Sequence, residues 1–206
     1  DGGRLEAIVA RPGTDLRVGL LPSSRFRAAR FQTVDGIVHV PNLPTEEVFS
    51  TPDPLRTEGV VRSTKPLVVG GSIIRGLEVE FQGGRATRID AEENADVLRG
   101  YTSKDEGASR LGEVALVDRE GRIGKLGTTF FDTLLDENAA SHIALGQCYS
   151  DCFVDGETIT PEDVERRGGN KSVIHIDWMI GSGEIDIDGI EQDGSVTPVM
   201  RKGEWA

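Results

Sequence analysis

Alternation of apolar and polar residues, broken by turn signals, runs from Leu5 to about Asp90 and constrains the fold most. The stretch "LEAIVA" is followed by Pro12-Gly13 and then by "DLRVGL", and "GLEVEF" later places Leu77, Val79 and Phe81 on one face. A repeat of two residues is typical of half-buried strands, and a Pro-Gly pair is typical of a turn. We therefore predict mostly antiparallel strands over this region.

The rest of the chain mixes helical and strand patterns. Thr160-Pro-Glu-Asp offers an N-cap, a proline at the first helical position and acids in the first turn. We predict helices in "AEENADVLRGY" from Ala91, in "DEGASRL" from Asp105, from about Asp136 to Tyr149, and from Thr160 to Gly168-Gly169. We predict a buried strand in "EVALVD" from Glu113, a strand in "SVIHIDWMIG", and a final hairpin with turns at Asp188-Gly189 and Asp193-Gly194. The expected fold is α+β, a single strand-rich domain over residues 1–206 with a few inserted helices.

Charge and cysteine content limit the classes of partner. Thirty-five acidic against 23 basic side chains give a formal net charge of -12, which disfavours nucleic acid. No apolar run reaches the length of about 18 residues that a membrane span needs, and the start lacks the pattern of a signal peptide. We expect a cytoplasmic protein with no membrane partner. Cys148 and Cys152 are expected to be plain thiols, with a disulfide or a metal role as the alternatives.

One candidate site lies on the predicted helix from Asp136 to Tyr149. His142 and Tyr149 are seven residues apart, close to two helical turns, and would share a face. Glu137 precedes His142 by five residues and would join them only by projecting from the start of the helix. The alternative is that Glu137 favours the helix dipole and His142 is a core histidine.

Three further segments carry acids or histidines that suit a site. His175 and Asp177 are two apart on a predicted strand and face the same way, although a polar outer face is the alternative. Glu113 is embedded in an apolar strand, where a buried carboxylate needs a cation. Glu46 and Glu47 follow a proline-bounded turn and face opposite ways, so that one of them enters a cleft, unless both are surface acids.

Together these segments offer four carboxylates, two imidazoles and a phenol. This set suits a pair of divalent ions such as zinc, cobalt or manganese, and two ions sharing a carboxylate form a hydrolytic centre. The third histidine, His39, has no acid at ligand spacing and is treated as structural. The sequence lacks G-x-S-x-G, Walker, H-E-x-x-H and G-x-G-x-x-G patterns, which counts against serine hydrolases, nucleotidases and dehydrogenases.

The same segments resemble a known family. The stretches "PNLPTEEVFSTPD", "DEGASRLGEVALV", "FFDTLLDENAASHIALGQCY", "RRGGNKSVIHIDWMIGS" and the closing "GEW" are similar to the thermophilic aminopeptidase T family of dinuclear metallopeptidases, in that family's order. The resemblance covers nearly the whole chain and only the C-terminal, metal-binding half of the family. It implies a truncated catalytic domain without the family's N-terminal domain, and a homodimer.

The resemblance also assigns residues and an activity. It places the metal ligands at Glu47, Glu113, Glu137, His142, His175 and Asp177, and an active-site tyrosine at Tyr149; the preference for Glu47 over Glu46 depends on it alone. The implied reaction removes the amino-terminal residue of a peptide with a metal-activated water. We hypothesise that Glu113 bridges two ions, Tyr149 stabilises the oxyanion and Glu46 is the general base.

Two other functions stay open at this point. The chain would be a non-catalytic metal-binding or assembly module if the acidic cluster served only the fold. It would be a dinuclear phosphoesterase if the two ions acted on a phosphate ester. Against the second alternative, the ligand segments carry no basic residue to hold a phosphate apart from Lys171.

Overall fold

The computed structural model describes residues 6–42, 44–156 and 158–206. Its strands, in chain order, are β1 (Glu6–Arg11), β2 (Thr14–Leu20), β3 (Arg27–Ala28), β4 (Phe31–Gln32), β5 (Val38–His39), β6 (Glu47–Ser50), β7 (Pro52–Arg62), β8 (Leu67–Val69), β9 (Ser72–Ile74), β10 (Glu78–Gln82), β11 (Arg85–Asp90), β12 (Leu111–Val117), β13 (His142–Gly146), β14 (His175–Met179), β15 (Asp186–Ile190), β16 (Val196–Arg201) and β17 (Glu204–Trp205). The helices are α1 (Ala95–Thr102), α2 (Thr133–Glu137) and α3 (Pro161–Arg166), with short 3-10 segments at Gly107–Ser109, Gly124–Leu126 and Ser150–Cys152. This strand-rich composition confirms the predicted α+β class.

The larger sheet has the strand order β11-β10-β7-β2-β1-β15-β16-β17, and its neighbouring strands are antiparallel. The β1–β2 hairpin closes where Arg11 pairs with Thr14, so the Pro12-Gly13 turn is confirmed. Leu77, Val79 and Phe81 are all buried, as their alternation predicted.

The smaller sheet has the order β14-β13-β12-β6-β3 and is also antiparallel. One face of it packs into the main core, which includes Val114, Ile143 and Trp178 from this sheet and Leu16 and Phe81 from the larger one. The two sheets therefore enclose the main core between them. The opposite face of the smaller sheet carries the candidate site.

The predicted helix from Asp136 to Tyr149 is wrong. Helix α2 ends at Glu137, and from His142 the chain is the fully buried strand β13, paired with β12 on one side and β14 on the other. A strand that is buried on both faces lacks the two-residue alternation of a half-buried strand, so periodicity does not distinguish its sequence from that of a buried helix. Two ladders of backbone hydrogen bonds outweigh the modest helix preference of its alanine.

Three other local predictions change in detail. The helix expected from Asp105 is only the 3-10 segment Gly107–Ser109, and the helix expected from Ala91 begins at Ala95. Asp188-Gly189 is not a turn, because it lies within β15 and pairs with strands on both sides. The Asp193-Gly194 turn is confirmed, with the Gly194 N–H donating to the carbonyl of Glu191.

Helix α3 forms as its sequence predicts. The Thr160 hydroxyl accepts from the Asp163 N–H, and the Asp163 carboxylate accepts from the Thr160 N–H, which completes a capping box. The helix ends at Arg166, shortly before Gly168 at a φ of 90°. None of the helices in the described residues is long and apolar enough to cross a membrane.

Candidate metal centre

The centre of the site is a row of three opposed residues across the smaller sheet. Ala144 of β13 pairs with Glu113 of β12 on one side and with Asp177 of β14 on the other. Directly opposed residues of an antiparallel ladder project from the same face of the sheet. The carboxylates of Glu113 and Asp177 therefore lie on either side of the small Ala144 side chain. A methyl group between two acids leaves room for an ion.

The two histidines begin two of the three strands that carry this row, β13 and β14. His142 is the first residue of β13, and its Nε2 lies 3.0 Å from Oε2 of Glu47, the first residue of β6. His175 is the first residue of β14, and its Nε2 lies 3.1 Å from Oε2 of Glu113 and 3.3 Å from Oδ1 of Asp177. The predicted alternation of His175 and Asp177 is thus observed, with both side chains on the site face.

A backbone carbonyl group orients each imidazole through a hydrogen bond with its Nδ1 atom. Nδ1 of His142 is 3.1 Å from the carbonyl oxygen of Ala140, and Nδ1 of His175 is 2.7 Å from that of Gln147. A carbonyl accepts, so each Nδ1 carries hydrogen and donates to it. The Nε2 atoms of both rings therefore face the carboxylates, which is the arrangement of metal-binding histidines in proteins.

Glu137 reaches the cluster from the last residue of α2 rather than from the sheet. Its predecessor Asp136 is buried and fixes the start of this helix: Oδ1 accepts from the Phe130 N–H at 3.0 Å and lies 3.2 Å from the ammonium of Lys65. Helix α2 is five residues long, too short to be stable alone, and such contacts hold it in place.

The structure brings all six predicted metal ligands together. Their ligand atoms fall into three groups, within each of which the atoms lie no more than 4.8 Å apart: Glu47, Glu113 and His142; Glu113, His175 and Asp177; and Glu137, His142 and Asp177. The first two groups have Glu113 in common and no other member. Glu113 therefore links the Glu47–His142 pair to the His175–Asp177 pair.

Burial makes two acids of the cluster, Glu113 and Glu137, retain protons. Desolvation is the main cause that raises the pKa of Glu113 to about 7 and that of Glu137 to about 8, and the charge of Asp177 adds to both. Burial acts on Asp177 in the same sense, but hydrogen bonding and charge from His175 outweigh it and lower the pKa of that carboxyl.

The two histidines compensate the acids. Burial alone would lower the pKa of His142, but the hydrogen bond that it donates to Glu47 and the charges of nearby carboxylates raise it to about 10. Burial of His175 is likewise outweighed by its bonds to Asp177 and Glu113, which raise the pKa to about 11. Shared protons thus hold together a group of acids that a divalent cation would neutralise more completely.

The donor set fits divalent cations. Oδ1 of Asp177 is buried without a hydrogen-bond partner of good geometry, although Nε2 of His175 is 3.3 Å away. A buried carboxylate oxygen left in this way costs free energy unless a cation or a donor reaches it. Four carboxylates and two imidazoles suit zinc, cobalt or manganese alike.

Tyr149 stands at the edge of the cluster with 41% of its surface exposed. Its ring centroid lies 4.9 Å from that of His175 and 5.3 Å from that of Phe49, which holds the phenol over the site. Burial of the hydroxyl region, followed by the charges of the neighbouring acids, raises the pKa of Tyr149 well above its usual range. The hydroxyl is therefore a hydrogen-bond donor at any working pH.

The remaining predicted residues lie outside the cluster. Both carboxylate oxygens of Glu46 accept from Arg122, and Glu46 belongs to none of the three ligand groups. Lys171 pairs with Glu165 instead of approaching the ligands, and His39 is exposed on β5 with its ring 6.5 Å from that of Phe31. Cys148 and Cys152 are buried free thiols, in agreement with the plain-thiol prediction.

Sequence patterns missed the residues that hold this arrangement. Asn138, Asp136 and Lys65 support the ligand segments through hydrogen bonds to distant parts of the chain. None of them lies in a spacing pattern, and the only available signal is that Asp136 and Asn138 flank Glu137 in the sequence.

A buried cluster of carboxylates and histidines on a rigid sheet is typical of metal-dependent hydrolases. The family model described as thermophilic metalloprotease (M29) matches residues 4–205. The chain therefore belongs to this metalloprotease family, and the resemblance inferred from the motifs is confirmed.

Individual relatives agree with the family match. The chain is 50% identical over 194 residues to aminopeptidase T of Thermus aquaticus and 42% identical to aminopeptidase PepS of Streptococcus thermophilus, in both cases over 94% of its own length and 47% of theirs. The chain thus spans about half the length of these relatives.

Solved structures show the same fold. Wild-type AmpT from Thermus thermophilus superposes with a TM-score of 0.91 at 48% identity, over 98% of this chain and 49% of that one. The 2,5-dihydroxypyridine dioxygenase of Pseudomonas putida superposes with a TM-score of 0.60 at 16% identity, which is a likeness of fold alone.

Proposed function

We propose that this chain is the metal-binding part of an aminopeptidase that uses two divalent cations to remove the amino-terminal residue of a peptide. The observation that carries the proposal is the overlap of the ligand groups, in which Glu113 alone belongs to both the Glu47–His142 and the His175–Asp177 sets. The names of the relatives, which are aminopeptidases, support the type of reaction.

The six clustered side chains would hold the ions, with Glu113 bridging them. Zinc, cobalt and manganese all accept such oxygen and nitrogen ligands. When bound, the two cations would lower the pKa of a water molecule and polarise the carbonyl group of the scissile amide.

Tyr149 would serve the oxyanion that develops on the scissile carbonyl. Its hydroxyl keeps its proton, since its pKa is raised, and its ring is held against His175. A donor fixed in place before the reaction stabilises developing negative charge without reorganising.

The site would also bind the free amino group that distinguishes an aminopeptidase substrate. Two divalent cations would balance the four carboxylates of the cluster, so the free amine would be attracted to one of the cations or to an acidic group nearby. A peptide with a blocked amino terminus would lose this attraction.

The general-base role of Glu46 stays a prediction, and it requires that the carboxylate of Glu46 separate from Arg122. One oxygen of its carboxylate accepts the Arg122 N–H at 2.7 Å, and the other pairs with the Arg122 guanidinium. Both oxygens of the carboxylate are occupied by Arg122, so Glu46 would act as a base only after releasing Arg122.

The homodimer and the cytoplasmic location are likewise kept as proposals. Two buried free thiols are consistent with a reducing compartment.

The direct test is turnover of leucyl and other aminoacyl amides by the purified chain. We expect activity with zinc, cobalt or manganese, loss of activity on chelation, and recovery on metal addition. An N-acetylated substrate and the Glu113→Gln variant are the matched controls, and both should be inactive. Hydrolysis of a phosphate ester in preference to the amides would favour the phosphoesterase, and binding of ions without turnover of either would favour the non-catalytic module.

A further inference from the structure

A buried asparagine ties together two segments that carry ligands. Asn138 is 1% exposed, its Oδ1 accepts from the Glu46 N–H at 2.6 Å, and its Nδ2 donates to the carbonyl oxygen of Leu134 at 2.9 Å. Glu46 and Asn138 are the direct neighbours of Glu47 and Glu137. One side-chain amide thus links the start of β6 to the end of α2, next to a ligand on each side.

The carboxylate of Glu46 extends this link to a third segment. It accepts from both the backbone N–H and the guanidinium of Arg122, in the loop that follows β12. A Cβ at Gly121 would collide with Oε2 of Glu46, so this close approach requires glycine at that position. The side chain of Glu46 is 9% exposed whereas that of Arg122 is 83% exposed, so Arg122 covers a nearly buried carboxylate.

These bonds lie next to two of the six ligands, Glu47 and Glu137. Glu47 is the first residue of its strand and Glu137 the last residue of a short helix, so neither is fixed by a continuing element on both sides. By contrast, Glu113 and Asp177 lie inside strands whose pairing with β13 fixes them.

We propose that Asn138 and Glu46 are positioning residues that set the separation of Glu47 and Glu137. This inference rests on the proposed two-ion centre. It assigns them to the ion on the His142 side, because Glu47 and Glu137 each belong to a ligand group with His142, whereas the group of Glu113, His175 and Asp177 contains neither. The two ions therefore differ in their dependence on one buried amide.

Zinc titration of the full chain against a chromophoric chelator tests the proposal. In Asn138→Ala we expect one zinc to bind as in the unsubstituted chain and the other to bind about 10–100-fold more weakly, the range found when outer contacts of metal ligands are removed. Asn94→Ala is the matched control, because Asn94 also donates to a backbone carbonyl, that of Ile73, but lies at the start of α1. It should keep both affinities.

Arg122→Ala provides the same test without disturbing the interior, since that side chain is exposed. It should weaken the same single ion by a smaller factor. The positioning role would be overturned if Asn138→Ala and Arg122→Ala bound both ions as tightly as the unsubstituted chain does. It would also be overturned if variants that remain folded by circular dichroism lost both ions to the same extent. Failure of the unsubstituted chain to bind two ions would instead refute the proposed function itself.

Glu46→Gln separates positioning from base catalysis. A positioning role predicts weaker binding of one zinc and activity that excess zinc restores. Turnover that stays low at saturating zinc, with unchanged affinity for both ions, would mean that Glu46 acts as a base and would contradict the proposal.

Discussion

Tyr149 differs from its neighbours in the site because it is not one of the clustered ligands and keeps its proton. We expect Tyr149→Phe to lower kcat by about 100-fold, the usual effect of removing one oxyanion donor, with metal content unchanged. The other tyrosine, Tyr101, lies on α1 and provides the control, because Tyr101→Phe should leave kcat as it was. Steady-state kinetics at saturating metal checks both variants, and an unchanged kcat in Tyr149→Phe would remove the oxyanion role.

Metal loading should release protons from the two site histidines. Their pKa values of about 10 and about 11 leave both protonated at pH 7, and an imidazole must be neutral at Nε2 to bind a metal. We predict the release of about two or more protons per chain. Calorimetry in buffers of different ionisation enthalpy measures the number, and His39→Gln should not alter it. Binding without proton release would show that the histidines are not ligands.

The sequence predicted the members of the site better than the reasons for their proximity. His175 and Asp177 meet because a strand repeats every two residues, and Glu113 was recognised as an acid in an apolar strand. Glu137 and His142 were expected to meet through a helix, but a turn after α2 and the start of β13 bring them together. No sequence pattern indicates the role of Asn138, since its partner Glu46 is 92 residues away in the chain.

At the scale of elements, the two faces of β13 serve different parts of the molecule: one face carries part of the site, and the other packs into the main core. Ala144 faces the ligands and Ile143 the main core, and both are fully buried. We predict that Ala144→Val, which fills the space between Glu113 and Asp177, abolishes binding of at least one ion. Ile143→Ala is the matched control and should cost about 2–5 kcal/mol of the free energy of unfolding while two ions still bind.

Metal titration and urea unfolding of the two variants check this separation. Two ions bound to Ala144→Val with unchanged affinity would mean that the gap beside Ala144 is not where an ion lies.

Elements whose secondary structure is determined by residues within their own sequence were predictable. Elements whose secondary structure depends on pairing with distant strands were not. Helix α3 follows from Thr160 and Asp163, which cap it from within its own sequence. Strand β13 depends on β12 and β14, which supply its hydrogen bonds, and Asp188-Gly189 is extended for the same reason, between β1 and β16. Pairing across the fold is a property that a window of sequence does not contain.

For the whole molecule, the site makes the metal-free protein sensitive to high pH. Glu113 and Glu137 have folded pKa values raised from 4.5 to about 7 and about 8, and the two histidines have theirs raised from 6.5 to about 10 and about 11. Groups with raised pKa values bind protons more tightly when folded. Their stabilisation is complete below the ordinary pKa and is lost as the pH rises through the folded value.

We therefore predict that the metal-free chain loses stability steadily from about pH 5 to about pH 11. Asp177, whose pKa is lowered, acts in the opposite sense and only at acid pH. Urea midpoints between pH 5 and pH 9 measure the trend. Saturating zinc should reverse it over the lower part of this range, because cations displace the same protons. A metal-free midpoint that rises with pH in this range would contradict the buried, proton-sharing cluster.

The most direct test of the account is the number of ions that the purified chain binds. Elemental analysis after equilibrium dialysis against zinc, with Glu113→Gln dialysed alongside, gives this number without reference to any substrate. We predict two zinc ions per chain, and fewer than two in Glu113→Gln, because Glu113 belongs to two of the three ligand groups. One ion or none in the unsubstituted chain, or two in Glu113→Gln, would contradict a dinuclear centre bridged by this residue.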